Sequence, residues 1–266
     1  MQTEYDEGLP IATRLMPKRF RASMLGLFDL ARGADSIVDD AKLPLEVRRE
    51  TLMRLRGDLS SHRMEELPLF ALRHAHDIRA GIIPAHFATA LLDAFIQDTF
   101  VNRYYNLPDL QAYCHLSTAS LGRGFLAIAQ EKNANLESSD ALCIALQLLN
   151  HWRDIRADYN DLGRIYLPQD WLREAGIAPE DLALNVSSYG LKTVYERLDA
   201  HISLLLADAR HLSPSISNRR LAIHARWLFA CAQSWQKQLR AGDPLYRNIS
   251  PSKHDVILAF FHGFIS

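Results

Sequence analysis

Cysteine, valine and glycine are all scarce in this chain, and each scarcity removes a class of protein. The three cysteines, Cys114, Cys143 and Cys231, are odd in number, far apart and never in a C-x-x-C pair. Neither a disulfide framework nor a thiolate zinc site is expected, and each is read as a small core residue. Six valines against 41 leucines and 32 alanines leave little material for sheets and much for helices. With only 12 glycines and 11 prolines, the composition predicts an all-α protein and excludes collagen-like or disordered chains. An excess of charge of one sign is missing too. The 30 basic and 31 acidic side chains nearly cancel, so no nucleic-acid partner is expected. No apolar run reaches spanning length. The N-terminal MQTEYDEGLP lacks the basic and apolar stretches of a signal peptide, so the chain is expected to stay in the cytoplasm. There is no H-E-x-x-H, G-x-S-x-G or Walker A run, which removes zinc protease, hydrolase and P-loop readings.

What is present is helical periodicity, broken at Pro, Gly and Ser/Asn clusters. It predicts helices over 17–41, 44–60, 66–81, 84–101, 107–130, 137–159, 188–211, 215–241 and 251–264. No break is long enough to be a linker, so residues 1–266 are read as one domain.

The chemistry shows first in ALCIALQLLNHWRDIRAD, which is apolar nearly all round until Asp154, so most of that helix should be buried. At about 100° per residue, Gln147, Asn150, Asp154 and Asp158 fall at roughly 0°, −60°, −20° and +20°, on one narrow stripe. Arg32, Asp35 and Asp39 in ARGADSIVDD repeat the geometry on another apolar helix. One D-x-x-x-D pair is ordinarily a solvated face. Two of them on apolar helices are different, because unpaired buried carboxylates neutralise or destabilise a fold. Facing carboxylates suit a hard divalent cation. Mg²⁺ typically takes one or two carboxylates plus phosphate oxygens and water, which points to a phosphorylated or diphosphate substrate with a greasy remainder. Just beyond, Gly163 should end the helix and leave Arg164 and Tyr166 of GRIYLP in a loop at its C-terminal end. There an arginine answers either a departing diphosphate or the helix dipole.

In this order, ARGADSIVDD, YCHLSTASLG and QLLNHWRDIRADYNDLGRIYLPQDWL resemble the squalene/phytoene synthase family over about residues 7–250. EGLPIATRLMP, AFIQDTFVNRYY and ALQLLNHWRDI are more similar to its bacterial hopanoid-pathway branch, the hydroxysqualene synthases. The resemblance implies a class I isoprenoid synthase fold with a central apolar cavity. It makes Asp35, Asp39, Asp154 and Asp158 the catalytic, metal-binding aspartates, with Asn150 as a further metal ligand. Arg32, Gln147, Asn150, Arg153, Arg164 and Tyr166 would bind substrate. The implied partners are Mg²⁺, a prenyl diphosphate and other enzymes of the squalene pathway, with no nicotinamide cofactor. The implied reaction is ionisation of presqualene diphosphate and water capture to hydroxysqualene. The alternatives are condensation of two farnesyl diphosphates to presqualene diphosphate or a phytoene-type hydrocarbon, and a non-catalytic helical scaffold.

Two departures stand out. The phytoene-type motif has a second tyrosine where this chain has His115, a residue that can deliver water or a proton, or simply serve structure. Gly8 and Leu9 replace an Asn-Phe pair of the hopanoid branch, so no site role is carried over there. Phe28, Tyr113 and Trp152 can stabilise a cation through their ring faces or can be plain core. GRGFLA formally fits a dinucleotide fingerprint but has no preceding strand, so close helix packing explains it better. The tail DVILAFFHGFIS either closes the core as a helix or touches a membrane surface peripherally, and its shortness and lack of a basic face favour the former.

Overall fold

The computed structural model of the protein describes residues 16–249. Among these residues there is no strand, and the chain runs through eleven α-helices. They are α1 (Arg21–Val38), α2 (Leu45–Ser60), α3 (Leu69–Arg79), α4 (His86–Gln97), α5 (Leu107–Cys114), α6 (Ser120–Ile128), α7 (Leu136–Leu162), α8 (Gln169–Glu174), α9 (Tyr189–Ala209), α10 (Leu212–Ser215) and α11 (Arg219–Ala241). The all-α expectation holds, and the long periodic runs are the helices.

The differences have local causes. The run expected as one helix over 107–130 is α5 and α6 joined by a π-helical turn, His115–Ala119. Periodicity cannot reveal such a turn, because it adds one residue without breaking the helix. The run expected over 215–241 starts late. Glu131 accepts the backbone N–H groups of Ser217 and Asn218, each at 2.8 Å, and Asn218 caps α11, leaving Pro214 in the short α10. The six-residue α8 and the 3₁₀ turn Pro179–Ala183 are too short to carry a periodic signal. The helix expected over 251–264, the tail, and Gly8 and Leu9 lie outside the described residues.

The 27-residue α7 is the axis of the fold. Asn135 caps its start by accepting the Ser138 N–H at 3.0 Å. Apolar residues such as Leu142, Leu148, Leu149 and Ile155 bury it between α9 and α11 on one side and α5, α6 and the π turn on another. Gly163 ends it with φ +66°, and the Arg164 N–H returns to the Asp158 carbonyl at 2.9 Å. That left-handed cap turns the chain sharply and aims Arg164 back toward the helix end. Ile165 then donates to the Asn102 carbonyl at 3.0 Å, which fastens this loop to the one after α4.

On the other side, α1 buries Met24, Leu27, Ala31, Ala34 and Val38, spaced three and four apart, against α3, α4 and α6. The GRGFLA glycines serve this packing. A Cβ on Gly124 would stand 2.6 Å from Leu27 Cδ2, and one on Gly122 2.4 Å from Cys143 Sγ. None of the three cysteines is in a disulfide. Cys114 and Cys231 are buried, whereas Cys143 is half-buried rather than fully in the core.

Candidate active site

The helices α1, α4, α5, α6 and α7 leave a cavity of about 370 Å³ between them. The stripe on α1 brings Arg32 and Asp35 to its wall, with Asp39 just past the helix end. The stripe on α7 brings Gln147, Asn150, Arg153, Asp154 and Asp158, and the turn at Gly163 adds Arg164 and Tyr166. Every site residue expected from the sequence therefore lines one cavity. The remaining wall is largely apolar, with Phe28, Leu91, Phe95 and Leu121, while Ser117 and Thr118 of the π turn face it as well.

The charges are unevenly paired. Five carboxylates, those of Asp35, Asp39, Asp98, Asp154 and Asp158, share the cavity with the guanidinium groups of Arg32, Arg153 and Arg164. The buried Arg164 donates from Nη1 to Asp39 Oδ1 at 2.8 Å, bridging the two stripes. Arg153 takes Asp154 in a fork, with Nε 2.6 Å from Oδ1 and Nη2 on Oδ2, while its guanidinium lies 5.1 Å from the Trp235 ring centre. Burial, followed by repulsion from Asp39, pushes the Asp35 carboxyl up to about 6. Burial and then repulsion from Asp154 hold Asp158 well above the ordinary carboxylate range. Such carboxylates resist ionising together unless positive charge is supplied.

That supply is the test of fit for a divalent cation. The donors available are hard oxygens: the four motif aspartates and the Asn150 amide. Among the described residues no three His, Cys, Asp or Glu side chains converge closely enough to hold a metal on their own. This spacing suits Mg²⁺, which completes its shell with water and the oxygens of a bound phosphate group. The donor set fits.

Two residues of the cavity wall, Asp98 and His151, were missed in the sequence. Asp98 closes α4 and accepts the hydroxyls of Tyr113 at 2.7 Å and Tyr166 at 3.3 Å, and burial raises its carboxyl to about 6. Its partners are far away along the chain, so no spacing rule announces it. His151 is the second. Its ring lies flat on Tyr166, centroids 3.7 Å apart, and Gln147 Nε2 stands 3.1 Å from its Nε2. Here a signal existed: His151 is four residues after Gln147 and falls at roughly +40° on the same stripe. Gln147 thus reaches the cavity wall while its amide engages a histidine.

Two open alternatives fall on the structural side. Trp152 does not face this cavity. It lies about 140° round α7 from Gln147, packs 5.8 Å from Tyr195 and lines a separate cavity of about 670 Å³ beside α9 and α11. His115 points away as well. It is half-exposed with Nδ1 3.8 Å from Asp140, the carboxylate that Arg123 grips from Nε at 2.7 Å. The π turn directs Ser117 and Thr118, instead of His115, at the cavity. Phe28 and Tyr113 do line it.

Comparisons with known proteins show what the chain is similar to. Residues 2–254 match the family model described as squalene/phytoene synthase. The hydroxysqualene synthase of Rhodopseudomonas palustris is 33% identical, covering 98% of this chain and 88% of its own length. That of Zymomonas mobilis is 30% identical over 96% of this chain and 86% of its own. A dehydrosqualene synthase solved in complex with a ligand has the same fold, with TM-score 0.79 at 20% identity over 98% of this chain and 91% of that one. Among the described residues no helix is long and apolar enough to cross a membrane.

Proposed function

The chain belongs to the squalene/phytoene synthase family, and from that membership we propose that it converts presqualene diphosphate and water to hydroxysqualene and diphosphate. The observation that carries this reading is the meeting of two acidic stripes and Arg164 in a cavity whose other walls are apolar. The relatives named hydroxysqualene synthase, 30–33% identical over nearly the whole chain, favour this reaction among those of the family.

In this reading Arg32, Arg153 and Arg164 bind the diphosphate, Arg164 and Arg153 turning from their aspartate partners toward it. Asp35, Asp39, Asp154, Asp158 and Asn150 would hold Mg²⁺, which would supply Lewis-acid charge to the leaving group. The C–O bond breaks with its electron pair going to diphosphate, leaving a cyclopropylcarbinyl cation. Phe28, Phe95, Leu91 and Leu121 keep stray water from the cation while it rearranges. The face of Tyr113, whose hydroxyl is held by Asp98, offers it electron density. Water then forms the new C–O bond, and its proton leaves with the diphosphate. No nicotinamide takes part. Residues 1–266 act as one domain, in the cytoplasm and in transient contact with a membrane surface and other squalene-pathway enzymes, since the product is lipid-soluble.

The test is product analysis of the purified protein with Mg²⁺, and without it, on presqualene diphosphate and on farnesyl diphosphate separately. Hydroxysqualene from the first substrate and no turnover of the second supports the proposal. Presqualene diphosphate or a hydrocarbon from farnesyl diphosphate moves the function to the condensing reaction on the same site. Silence of the folded protein with both substrates favours a scaffold.

A further inference from the structure

The reaction above leaves a buried histidine without a task. His151 is 7% exposed, lines the cavity, and sits one turn from Asp154 and two turns from Asp158 on α7. Both ring nitrogens have defined surroundings. The Gln147 amide nitrogen can only donate, so Nε2, 3.1 Å away, accepts and the ring proton resides on Nδ1. Nδ1 faces Asp158 Oδ2 at 4.0 Å. One ring face is covered by Tyr166, whose own hydroxyl is anchored on Asp98.

These surroundings describe a side chain held by Gln147 and Tyr166, with Nε2 engaged by the amide and Nδ1 4.0 Å from a carboxylate oxygen. We propose that His151 is a positioning residue, set by Gln147 and Tyr166, that orients the Asp158 carboxylate for the divalent cation and diphosphate. The inference rests on the diphosphate-and-metal reading of the cavity. The 4.0 Å separation exceeds a hydrogen bond, and such contacts commonly tighten only when the ligand binds. Groups of this kind behind a liganding carboxylate or imidazole typically govern metal affinity tenfold to a hundredfold.

The test is Mn²⁺ binding to the full chain in the presence of inorganic diphosphate, followed by electron paramagnetic resonance, which needs no turnover. His151→Phe keeps a ring against Tyr166 but removes Nδ1–H. It is expected to retain the thermal midpoint and to weaken Mn²⁺ binding about tenfold, with turnover recovering at raised metal concentration. His151→Asn and His151→Leu are alike in size and lose the ring alike, so their difference isolates the donor even if the Phe variant fails to fold. Asn is expected to bind several-fold more tightly than Leu. Mn²⁺ binding unchanged in the Phe variant, or Asn no better than Leu, overturns the role of His151 alone. A wild-type protein that binds no Mn²⁺ with diphosphate overturns the reading of the cavity beneath it.

Discussion

Asp35 makes the conflict between stability and function measurable. In the folded chain without a cation its carboxyl titrates near 6, because burial and the neighbouring Asp39 disfavour the charge, against 3.8 for an ordinary aspartate. That difference corresponds to roughly 3 kcal/mol of destabilisation at pH 7. Solvent reaching the group through the cavity lowers the figure to about 2 kcal/mol. Asp35→Asn removes the charge at nearly constant shape, so the variant should be the more stable protein, its thermal midpoint higher by about 4–8 °C. The sign follows from the direction of the shift. A raised folded value means that the folded state binds the proton more tightly than the unfolded one. The destabilisation is therefore fully present above about 6 and gone below 3.8. The advantage of the variant should shrink as the pH of the melt falls from 7.5 toward 4. Adding Mg²⁺ and inorganic diphosphate at pH 7.5 should reverse the order, stabilising the wild type and leaving the variant nearly unmoved, while turnover of the variant collapses. Thermal unfolding followed by circular dichroism, with and without these additions, measures all of it. A variant that melts at or below the wild-type temperature at pH 7.5, or an advantage that persists unchanged at pH 4, would refute the argument.

Asp154→Ala should lower kcat by at least about a hundredfold while leaving far-ultraviolet circular dichroism intact, since it removes several kcal/mol of charge stabilisation from the site; turnover at the wild-type rate would remove Asp154 from the assignment. Gly124→Val should lower stability by about 1–3 kcal/mol in urea titrations, because its Cβ meets Leu27 Cδ2 at 2.6 Å in a packed core. His74 works on acid stability in the opposite sense to Asp35. It is fully buried, neither ring nitrogen has a hydrogen-bond partner among the described residues, and burial lowers its pKa to about 4. The unfolded chain takes up the proton first, so stability present above 6.5 is lost progressively down to about 4. His74→Leu should therefore shift acid unfolding to lower pH by removing up to roughly 3 kcal/mol of that loss.

Much of the site was legible because helices convert sequence spacing into direction. Asp35 and Asp39, and Gln147, Asn150, Asp154 and Asp158, could be assigned to common faces from the 100° rule alone. Gly163 announced the turn that carries Arg164. His151 is legible by the same arithmetic, at roughly +40° on the stripe. Asp98 was not legible at all, since what defines it is contact with Tyr113 and Tyr166, 15 and 68 positions away. Trp152 shows the same rule deciding an open choice: at about 140° from Gln147, helix geometry turns it away from the cavity and into packing against Tyr195. The short α8 and the π turn escaped because neither alters the hydrophobic period over enough residues to register.

The π turn at His115–Ala119 fixes more than the local backbone. By carrying one residue more than an α-helical turn, it absorbs that residue between α5 and α6 and keeps the two helices nearly in phase. Tyr113 on the near side meets Asp98, and Gly124 on the far side meets Leu27, only because that extra residue is taken up in the turn. Forcing the segment into regular α-helix with every residue kept would rotate α6 by about 100°, whereas deleting one residue would close the turn and leave its phase nearly unchanged. In the first case the charged Arg123 would swing toward the surface of α1 that now admits only a glycine. A library along 115–119 should thus accept one-residue deletions more readily than one-residue insertions, because a deletion closes the turn in phase and an insertion throws the two halves of the cavity wall out of phase.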